Sequence, residues 1–189
     1  MNTVIRDRIQ ESIEVKQKIL KSEELLLAIE QAAKLVQHTI KKGGKILLCG
    51  NGGSASDAAH IAGELVGRFQ KERDSIAAIA LNEINVSLTA IANDYSFDDV
   101  FARPVTGLMN KEDVLIGIST SGNSENVFRA MLAAKEIGGK TIGFLGKTGG
   151  KIKDYSDVPI IIPCDSTARI QESHIMIGHI ICEIAEIDY

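Results

Sequence analysis

A histidine and a glutamate four residues apart follow a glycine-rich turn in the first half of the chain. The turn, residues 49–54, reads Cys-Gly-Asn-Gly-Gly-Ser, and the pair is His60 and Glu64. Four residues of a helix turn through about 400°, so both side chains leave one face, about 6 Å apart along the axis. An imidazole and a carboxylate so placed can bind one metal ion or exchange one substrate proton. The alternative interpretation is two solvated residues on an exposed helix face, where such pairs are common.

A second polar turn, residues 118–124, reads Ile-Ser-Thr-Ser-Gly-Asn-Ser and joins a predicted strand to a predicted helix. It offers four hydroxyls and several backbone donors at a helix N-terminus, but no lysine. This composition favours a phosphate monoester held by neutral donors and the helix dipole. A nucleotide P-loop would need Gly-x-x-x-x-Gly-Lys-Ser/Thr. Helix capping alone accounts for about two of the hydroxyls, so we interpret the turn as a phosphate site.

The last predicted helix, residues 167–187, is apolar around most of its circumference and is therefore expected to be mainly buried. Polar side chains inside such a helix need partners, because an unpaired one costs roughly 1–3 kcal/mol. Gln171 and His179 lie about 80° apart around the axis, close enough to face one cavity. His174 lies about 140° from His179, and we expect it to make a structural hydrogen bond to a carbonyl group.

The elements that must position these residues follow an alternating pattern of strands and helices after two leading helices. Short apolar segments without strict alternation predict strands with helices on both faces. The predicted fold is α/β, a five-stranded parallel sheet of the flavodoxin-like kind preceded by N-terminal helices. In such sheets ligands bind beyond the carboxyl ends of the strands, where both polar turns lie. The predicted strands are 45–49, 75–81, 113–118, 140–145 and 158–162, and the predicted helices after the leading pair are 54–68, 84–92, 98–109, 124–137 and 167–187.

The overall composition limits the classes of function. We expect a single domain over residues 1–189, with leading helices at 1–42 and an α/β core at 43–189. A net charge of −4 without a basic, aromatic-rich cluster argues against a nucleic-acid partner. No apolar run resembles a signal peptide or approaches the ~20 residues of a membrane span, so we expect no membrane association. The three cysteines, widely spaced in apolar sequence, are typical of reduced thiols in a cytoplasmic protein: Cys49, Cys164 and Cys182.

Taken together, these motifs resemble the phosphoheptose isomerases, a family of enzymes built on the sugar isomerase (SIS) domain. The resemblance covers essentially the whole chain. It implies conversion of sedoheptulose 7-phosphate to D-glycero-D-manno-heptose 7-phosphate, the first step towards the ADP- or GDP-heptoses of bacterial lipopolysaccharide or capsule. The motifs that carry it are the 49–54 turn, the His-x-x-x-Glu-Leu helix, Asn93-Asp94, the turn Gly-Ile-Ser-Thr-Ser-Gly-Asn-Ser, and Arg-Ile-Gln-Glu-x-His-x-x-x-x-His.

The resemblance also implies a site and an assembly. One zinc ion per subunit would be held by His60, Glu64, Gln171 and His179, in a homotetramer whose leading helices contribute to the interfaces. An enediol(ate) route needs a base and an acid, and we assign these two roles to Glu64 and His179 without deciding which has which. Arg68 either assists an anionic substrate or is a surface arginine. The implied substrate contacts are Asn51, Gly52, Gly53, Ser54, Glu64, Asn93, Asp94, Ser119, Thr120, Ser121, Ser124 and Gln171.

Two other functions remain open at this level. A non-catalytic SIS module would bind a sugar phosphate or a replication initiator, and it would not need the His/Glu/Gln/His set. A transcriptional regulator of this family would normally carry an added DNA-binding domain. An aminosugar-phosphate isomerase would share the phosphate turn, but it would not be expected to present both the His60/Glu64 and the Gln171/His179 pairs.

Overall fold

A computed structural model of the chain describes residues 2–187. Two helices precede an alternation of strands and helices. The predicted domain limits at residues 1 and 189 lie outside the described residues. The elements are α1 (Asn2–Lys21), α2 (Glu23–Lys41), β1 (Ile46–Gly50), α3 (Gly53–Val66), β2 (Ala78–Ala80), α4 (Asn85–Asp94), α5 (Ala102–Leu108), β3 (Val114–Ser119), α6 (Glu125–Ile137), β4 (Lys140–Gly146), β5 (Val158–Ile162) and α7 (Thr167–Ala185).

The five strands form one parallel sheet in the order β2-β1-β3-β4-β5. This confirms the predicted fold class. The chain leaves β1 towards one edge, to β2, and returns to place β3 on the other side of β1. The strand order therefore reverses between β1 and β3, and at such a switch point the loops beyond the carboxyl ends of the strands part to form a crevice. The glycine-rich turn, residues 49–54, follows β1. The polar turn of residues 118–124, which we call the hydroxyl-rich turn, follows β3, so both turns border this crevice.

Helices cover both faces of the sheet because successive side chains of each strand point to opposite sides. In β1, Ile46 and Leu48 belong to the core beneath α1, α2, α3 and α7, whereas Leu47 and Cys49 belong to the core beneath α4, α5 and α6. All five residues of β1 are buried, as the continuous apolar run predicts. Burying each such aliphatic side chain stabilises the fold by about 1.5–3 kcal/mol.

The two leading helices differ in how much they bury. Ser22 caps α2, with its Oγ accepting a hydrogen bond from the backbone N–H of Leu25 at 3.3 Å. The α2 helix covers the sheet, but only Val15 and Ile19 of α1 are buried. Among the described helices, none combines the length and apolarity needed to cross a bilayer. The outer stripe of α1 exposes large apolar side chains, namely Val4, Ile5, Ile9, Ile13 and Leu20.

Several predicted boundaries were wrong, among them those of β2, α5 and α7. The second strand was predicted over 75–81, but only Ala78–Ala80 pair with β1, because the N–H of Ile76 donates to the carbonyl of Leu65 in α3 instead. The helix predicted over 98–109 begins at Ala102, which puts Pro104 in the first turn, where its missing N–H costs nothing. The last helix ends at Ala185 and not at 187.

Candidate active site

Three candidate metal ligands from two helices meet near the surface. His60 Nε2 lies 3.0 Å from Glu64 Oε1 on α3, and His179 Nε2 of α7 lies 3.2 Å from His60 Nε2. One ligand atom from each residue lies within 4.8 Å of the others. We call these three residues the ligand cluster. The side chains of His60 and Glu64 are 49% and 26% exposed, so the cluster is open to a substrate from solvent.

A glycine on α7 permits the two helices to approach this closely. A Cβ at Gly178 would lie 2.5 Å from Cδ1 of Ile61 and 2.8 Å from its Cγ1. Gly178 immediately precedes His179 in the sequence, and Ile61 immediately follows His60. The close contact of α7 with α3 therefore occurs at the height of the ligand cluster. The spacing of His60 and Glu64 predicted one face of α3, and the packing of α7 supplies the third ligand.

Gln171 lies two turns before His179 on α7, about 12 Å along the helix axis. Its side-chain amide contacts the start of α3, since a Cβ built at Gly53 would stand 2.4 Å from Gln171 Nε2. The structure thus places Gln171 beside the glycine-rich turn, on the same side of the sheet as the ligand cluster. Among the described residues, Gln171 makes no hydrogen bond to His60, Glu64 or His179, so its place in the ligand set stays a prediction.

The donor set is chemically suited to zinc. Two imidazole nitrogens and one carboxylate oxygen are ligands that Zn²⁺ accepts, and three protein ligands leave a position free in its preferred tetrahedral geometry. The amide oxygen of Gln171 is a further donor near the same crevice. The residues present therefore fit the ion that the sequence resemblance implies.

Asp57 is a residue of this region that the sequence analysis missed. It lies one turn before His60 on α3, and within residues 2–187 its Oδ2 is buried without a hydrogen-bond partner. Burial raises the pKa of Asp57 to about 6, and the charge of His60 opposes that rise. Its i, i+3 spacing to His60 was visible in the sequence, but its burial depends on tertiary packing.

A second missed residue is Phe69, in the segment that follows α3. Its ring stacks on the imidazole of His179, with the ring centroids 5.4 Å apart and the planes 18° from parallel. The ring of His60 meets the same imidazole edge-on, at 5.0 Å and 62°. Nothing in the local sequence around Phe69 indicates this contact, because it joins residues more than a hundred positions apart.

The glycine-rich turn brings backbone groups close to the start of α3. Gly52 has φ +57°, a conformation that favours glycine, and occupies the N-cap of α3 without any side chain. A Cβ at Gly50 would lie 2.6 Å from the carbonyl oxygen of Ser54. Ser54 itself is buried. The turn therefore leaves the helix N-terminus accessible to an anion or a sugar hydroxyl.

The turn after β3 gathers hydroxyl groups at the start of α6. Ser119 Oγ lies 2.9 Å from Ser124 Oγ and 3.4 Å from Ser121 Oγ. Ser124 holds the N-cap position, but its hydroxyl makes no capping hydrogen bond to α6. Capping consequently does not account for this serine. Thr120, beside them, is half-buried. The arrangement is suited to a phosphate group that binds hydroxyls and the positive end of the α6 dipole.

The loop after β4, residues 147–152, contacts the hydroxyl-rich turn and holds it in place. Gly122 has φ +68°, and a Cβ there would lie 2.0 Å from the carbonyl oxygen of Gly149. The N–H of Ile152 donates to the carbonyl of Gly122 at 3.0 Å, and the N–H of Lys151 donates to Asn123 Oδ1 at 3.0 Å. The turn is therefore held by backbone contacts that leave no room for a side chain at position 122.

An asparagine pair joins the two turns. Asn51 Nδ2 donates to Asn126 Oδ1 at 2.8 Å, and Asn126 Nδ2 donates to Asn51 Oδ1 at 2.9 Å. Asn126 Oδ1 also accepts the backbone N–H of Val127 at 2.9 Å. Asn126 is buried and was absent from the predicted site. The reciprocal pair fixes the spacing of the glycine-rich and hydroxyl-rich turns across the switch point.

Two further predicted substrate residues, Asn93 and Asp94, belong to α4. Asn93 and Asp94 are exposed at the end of α4, and Asn93 Nδ2 donates to Asp94 Oδ1 at 2.8 Å. Within residues 2–187, neither side chain makes a hydrogen bond to the ligand cluster or to the hydroxyl-rich turn. Arg68, which has a side chain 60% exposed and lies 3.7 Å from a carboxylate oxygen of Glu72, fits the surface alternative.

His174 has the structural role that the helix pattern predicts. It is fully buried, and its Nε2 lies 3.0 Å from the carbonyl oxygen of Leu145 in β4. Because a carbonyl oxygen only accepts, the Nε2–H group donates this hydrogen bond, which connects α7 to β4. Burial lowers the pKa of His174 to about 4, although the hydrogen bond to Leu145 opposes that change. His174 is therefore neutral at pH 7.

Two of the three cysteines, Cys49 and Cys182, are buried thiols. All three are unpaired, as expected from their spacing. Burial raises the pKa of Cys49 to about 12, and burial with the charge of Glu64 raises the pKa of Cys182 to about 12. A thiol with such a pKa is almost entirely protonated at pH 7 and is a poor nucleophile.

Comparison with known proteins agrees with this geometry. An SIS domain profile matches residues 9–146. The phosphoheptose isomerase of Clostridium acetobutylicum is 52% identical over 98% of this chain and 95% of its own, and that of Nitratiruptor sp. is 60% identical over 87% and 88%. The solved phosphoheptose isomerase of Neisseria gonorrhoeae superimposes with a TM-score of 0.92 at 43% identity, covering 98% of both chains. The chain belongs to the SIS domain family and, within it, to the phosphoheptose isomerases.

Proposed function

We propose that this protein is an aldose–ketose isomerase that converts sedoheptulose 7-phosphate to D-glycero-D-manno-heptose 7-phosphate. The product is the precursor of the ADP- or GDP-heptoses used in bacterial surface glycans. The observation that carries the proposal is the ligand cluster on α3 and α7, in a chain that belongs to the phosphoheptose isomerases. The hydroxyl-rich turn at the same end of the sheet supplies the phosphate site.

The phosphate of the substrate binds at the start of α6. The hydroxyls of Ser119, Ser121 and Ser124 lie together there, and the N-terminus of α6 favours negative charge. Neutral donors suffice because hydrogen bonds to a charged group are each worth about 1.5–3 kcal/mol. The reciprocal Asn51–Asn126 pair holds this turn at a fixed distance from the glycine-rich turn, where the sugar hydroxyls bind.

The reaction moves one proton from C1 of the ketose to C2 and one proton from O1 to O2. Removal of the C1 proton gives an enediol(ate), and delivery of a proton to C2 gives the aldose. Glu64 and His179 carry out these transfers as the base and acid pair. Their atoms lie within the same 4.8 Å cluster and the carboxylate is partly exposed, so both reach a sugar chain bound beside α3.

His60, Glu64 and His179, with Gln171 as a fourth donor, would hold one zinc ion per subunit. When bound, zinc would polarise the oxygens on C1 and C2 of the open-chain sugar. Three of these residues also act on the sugar directly. Glu64 and His179 hold the protons that move, and this requires Glu64 to bind the ion loosely or to shift during the cycle. Gln171 orients the sugar from the side of the glycine-rich turn.

We further propose a homotetramer in the cytoplasm. The exposed apolar stripe of α1 needs a surface to cover it, and a second copy of this chain supplies one. The three free thiols are typical of a reducing compartment. We also propose Asn93 and Asp94, which are exposed at the end of α4, as substrate contacts, because the motifs of this chain resemble those of the phosphoheptose isomerases.

A non-catalytic sugar-phosphate-binding protein is the alternative function. It would explain the hydroxyl-rich turn, but it gives no reason for two histidines and a glutamate to meet at 3.0–3.2 Å. Incubating the purified protein with sedoheptulose 7-phosphate and identifying the product by NMR separates the two. We expect an aldose heptose 7-phosphate to form, whereas binding without turnover by a folded protein would contradict the isomerase.

A further inference from the structure

The segment after α3 places an aromatic ring on His179. Phe69 lies in an irregular stretch between α3 and β2, and its ring is half-buried against the core beneath α3 and α7. The ring stacks on the imidazole at 5.4 Å with an interplanar angle of 18°. The imidazole of His179 thus has Phe69 against one face, and its Nε2 is directed at His60.

The usual orienting contact of a metal-ligating histidine is a hydrogen bond from its second ring nitrogen to a carbonyl or carboxylate. Within residues 2–187, His179 makes no such bond through Nδ1. Besides the edge-on contact with His60, the stacked ring of Phe69 is therefore the contact that limits rotation of the imidazole about its side-chain torsions.

A buried ion pair holds the backbone that carries Phe69. The carboxylate of Glu186, just past the end of α7, accepts the N–H groups of Gln70 and Lys71, both at 3.0 Å. Arg73 Nε lies 3.2 Å from the same carboxylate, and the two side chains are 1% and 2% exposed. The two residues that follow Phe69 in the chain are thus fixed directly to the helix that carries His179.

The same arginine also fixes α3. One terminal nitrogen of Arg73 donates to the carbonyl of Glu64 at 2.8 Å, and the other donates to the carbonyl of Leu65 at 2.9 Å. One network therefore connects the last turn of α3, the end of α7 and the backbone after Phe69. A ring attached to such a network has a defined position relative to both ligand helices.

We propose that Phe69 is a positioning residue, which orients the imidazole of His179 towards His60 and Glu64 by stacking on its face. This inference rests on the proposed function, because it assigns a role within the same site. Its effect on the reaction is indirect. Loss of the ring releases His179 to other rotamers, which weakens metal binding and slows proton transfer while leaving the phosphate site intact.

The test compares Phe69→Leu and Phe69→Met, which remove the ring, with Phe69→Tyr, which keeps it. The control is Phe128→Leu, since Phe128 is another half-buried ring, paired edge-on with Tyr155 in the core on the other face of the sheet. Zinc affinity is measured by competition with a chromophoric chelator, and kcat and KM are measured with sedoheptulose 7-phosphate. Thermal unfolding shows that each variant is folded.

We expect Phe69→Leu and Phe69→Met to weaken zinc binding about tenfold and to lower kcat similarly, with KM changed less than twofold. Phe69→Tyr and Phe128→Leu should behave like the wild type. Unchanged zinc affinity and kcat in both ring-free variants, or an equal loss in Phe128→Leu, would overturn the inference. A wild-type protein that binds zinc but makes no product would contradict the isomerase and not the role of Phe69. If the wild type binds no zinc, the zinc assignment is wrong and kcat alone decides the role of Phe69.

Discussion

At the scale of single residues, Glu64 is held at both its side chain and its backbone. Its Oε1 contacts His60 Nε2 at 3.0 Å, and its carbonyl accepts a hydrogen bond from the buried Arg73 at 2.8 Å. The backbone contact fixes the end of α3 independently of the carboxylate. A change confined to the carboxylate should therefore remove the proposed proton transfer while preserving the position of the helix.

The Glu64→Gln variant tests this residue. It keeps the size and the hydrogen-bonding capacity of the side chain but cannot accept a proton as a carboxylate does, so kcat should fall by at least about 100-fold. The free energy of unfolding should change by less than about 1 kcal/mol, because the side chain is partly exposed. The control is Glu72→Gln, an exposed glutamate in the segment that follows α3, which should retain wild-type kinetics. Near-normal kcat in Glu64→Gln would remove Glu64 from the mechanism.

The buried His174 makes stability depend on pH. Its pKa is about 4 in the folded protein, below the ordinary value of 6.5, so the unfolded chain binds a proton more readily. The stabilisation from its neutral form is complete above pH 6.5 and is lost as the pH falls from 6.5 towards 4. A difference of this size corresponds to about 3 kcal/mol.

Denaturant unfolding between pH 4 and pH 7 measures this contribution. His174→Gln retains an amide donor but does not titrate in this range, so its free energy of unfolding should fall less steeply below pH 6.5 than that of the wild type. The exposed His38, replaced as His38→Gln, should leave the wild-type slope unchanged. Equal slopes for His174→Gln and the wild type would show that His174 is not the group responsible.

At the scale of elements, the hydroxyl-rich turn separates binding from stability. Ser124 holds the N-cap position of α6 but makes no capping hydrogen bond, so its hydroxyl is available to a ligand. Removing a true cap would cost about 1 kcal/mol of stability. Removing this hydroxyl should instead weaken substrate binding.

We expect Ser124→Ala to raise KM for sedoheptulose 7-phosphate about tenfold or more, with kcat within about threefold of the wild type. This is the loss of one hydrogen bond to a charged phosphate. Steady-state kinetics gives both constants, and Thr106→Ala, which removes an exposed hydroxyl on α5, is the control. A fall in kcat at constant KM would place Ser124 at the reacting carbons and not at the phosphate.

The sequence predicted the elements and turns that local pattern controls. The 46–50 run is apolar because β1 is buried on both faces, and the polar turns after β1 and β3 contain the glycines and serines that helix N-termini require. The spacing of His60 and Glu64 predicted their contact because a helix has a fixed period. These are all properties of short segments.

Contacts between segments far apart in the chain could not be predicted from the sequence pattern. The burial of Asp57, the stacking of Phe69 on His179 and the Asn51–Asn126 pair each depend on how helices pack against the sheet. The second strand was predicted too long for the same reason, since the N–H of Ile76 is drawn away by the carbonyl of Leu65. The β2 strand is three residues long because a tertiary contact competes with the sheet for backbone hydrogen bonds, and not because of the β propensity of its residues.

At the scale of the whole molecule, α1 has one face attached to the fold and one face exposed to solvent. Its inner face is attached near the site, because Ser12 Oγ donates to Glu172 Oε2 of α7 at 2.7 Å. Its outer face presents a stripe of large aliphatic side chains to solvent. Contiguous apolar surface of this kind is typical of a subunit interface.

Light scattering after size exclusion tests the proposed tetramer. We expect the wild type to have four times the chain mass of 20.4 kDa, and Ile9→Asp to give smaller species, since a charge in an apolar interface loses its hydration. Gln10→Asp introduces the same carboxylate at a neighbouring exposed position of α1 and should leave the assembly intact. A monomeric wild type would contradict the tetramer.

We propose that His60, Glu64 and His179 form a metal-dependent isomerase site, with Gln171 as a further donor. The most direct test is a product assay with sedoheptulose 7-phosphate, run on the protein as purified, after treatment with a chelator, and after zinc is added back. We expect that an aldose heptose 7-phosphate forms, that its formation stops on chelation, and that zinc restores it. Product formation that is indifferent to the chelator would contradict the metal site, and no product under any condition from a folded protein would contradict the isomerase.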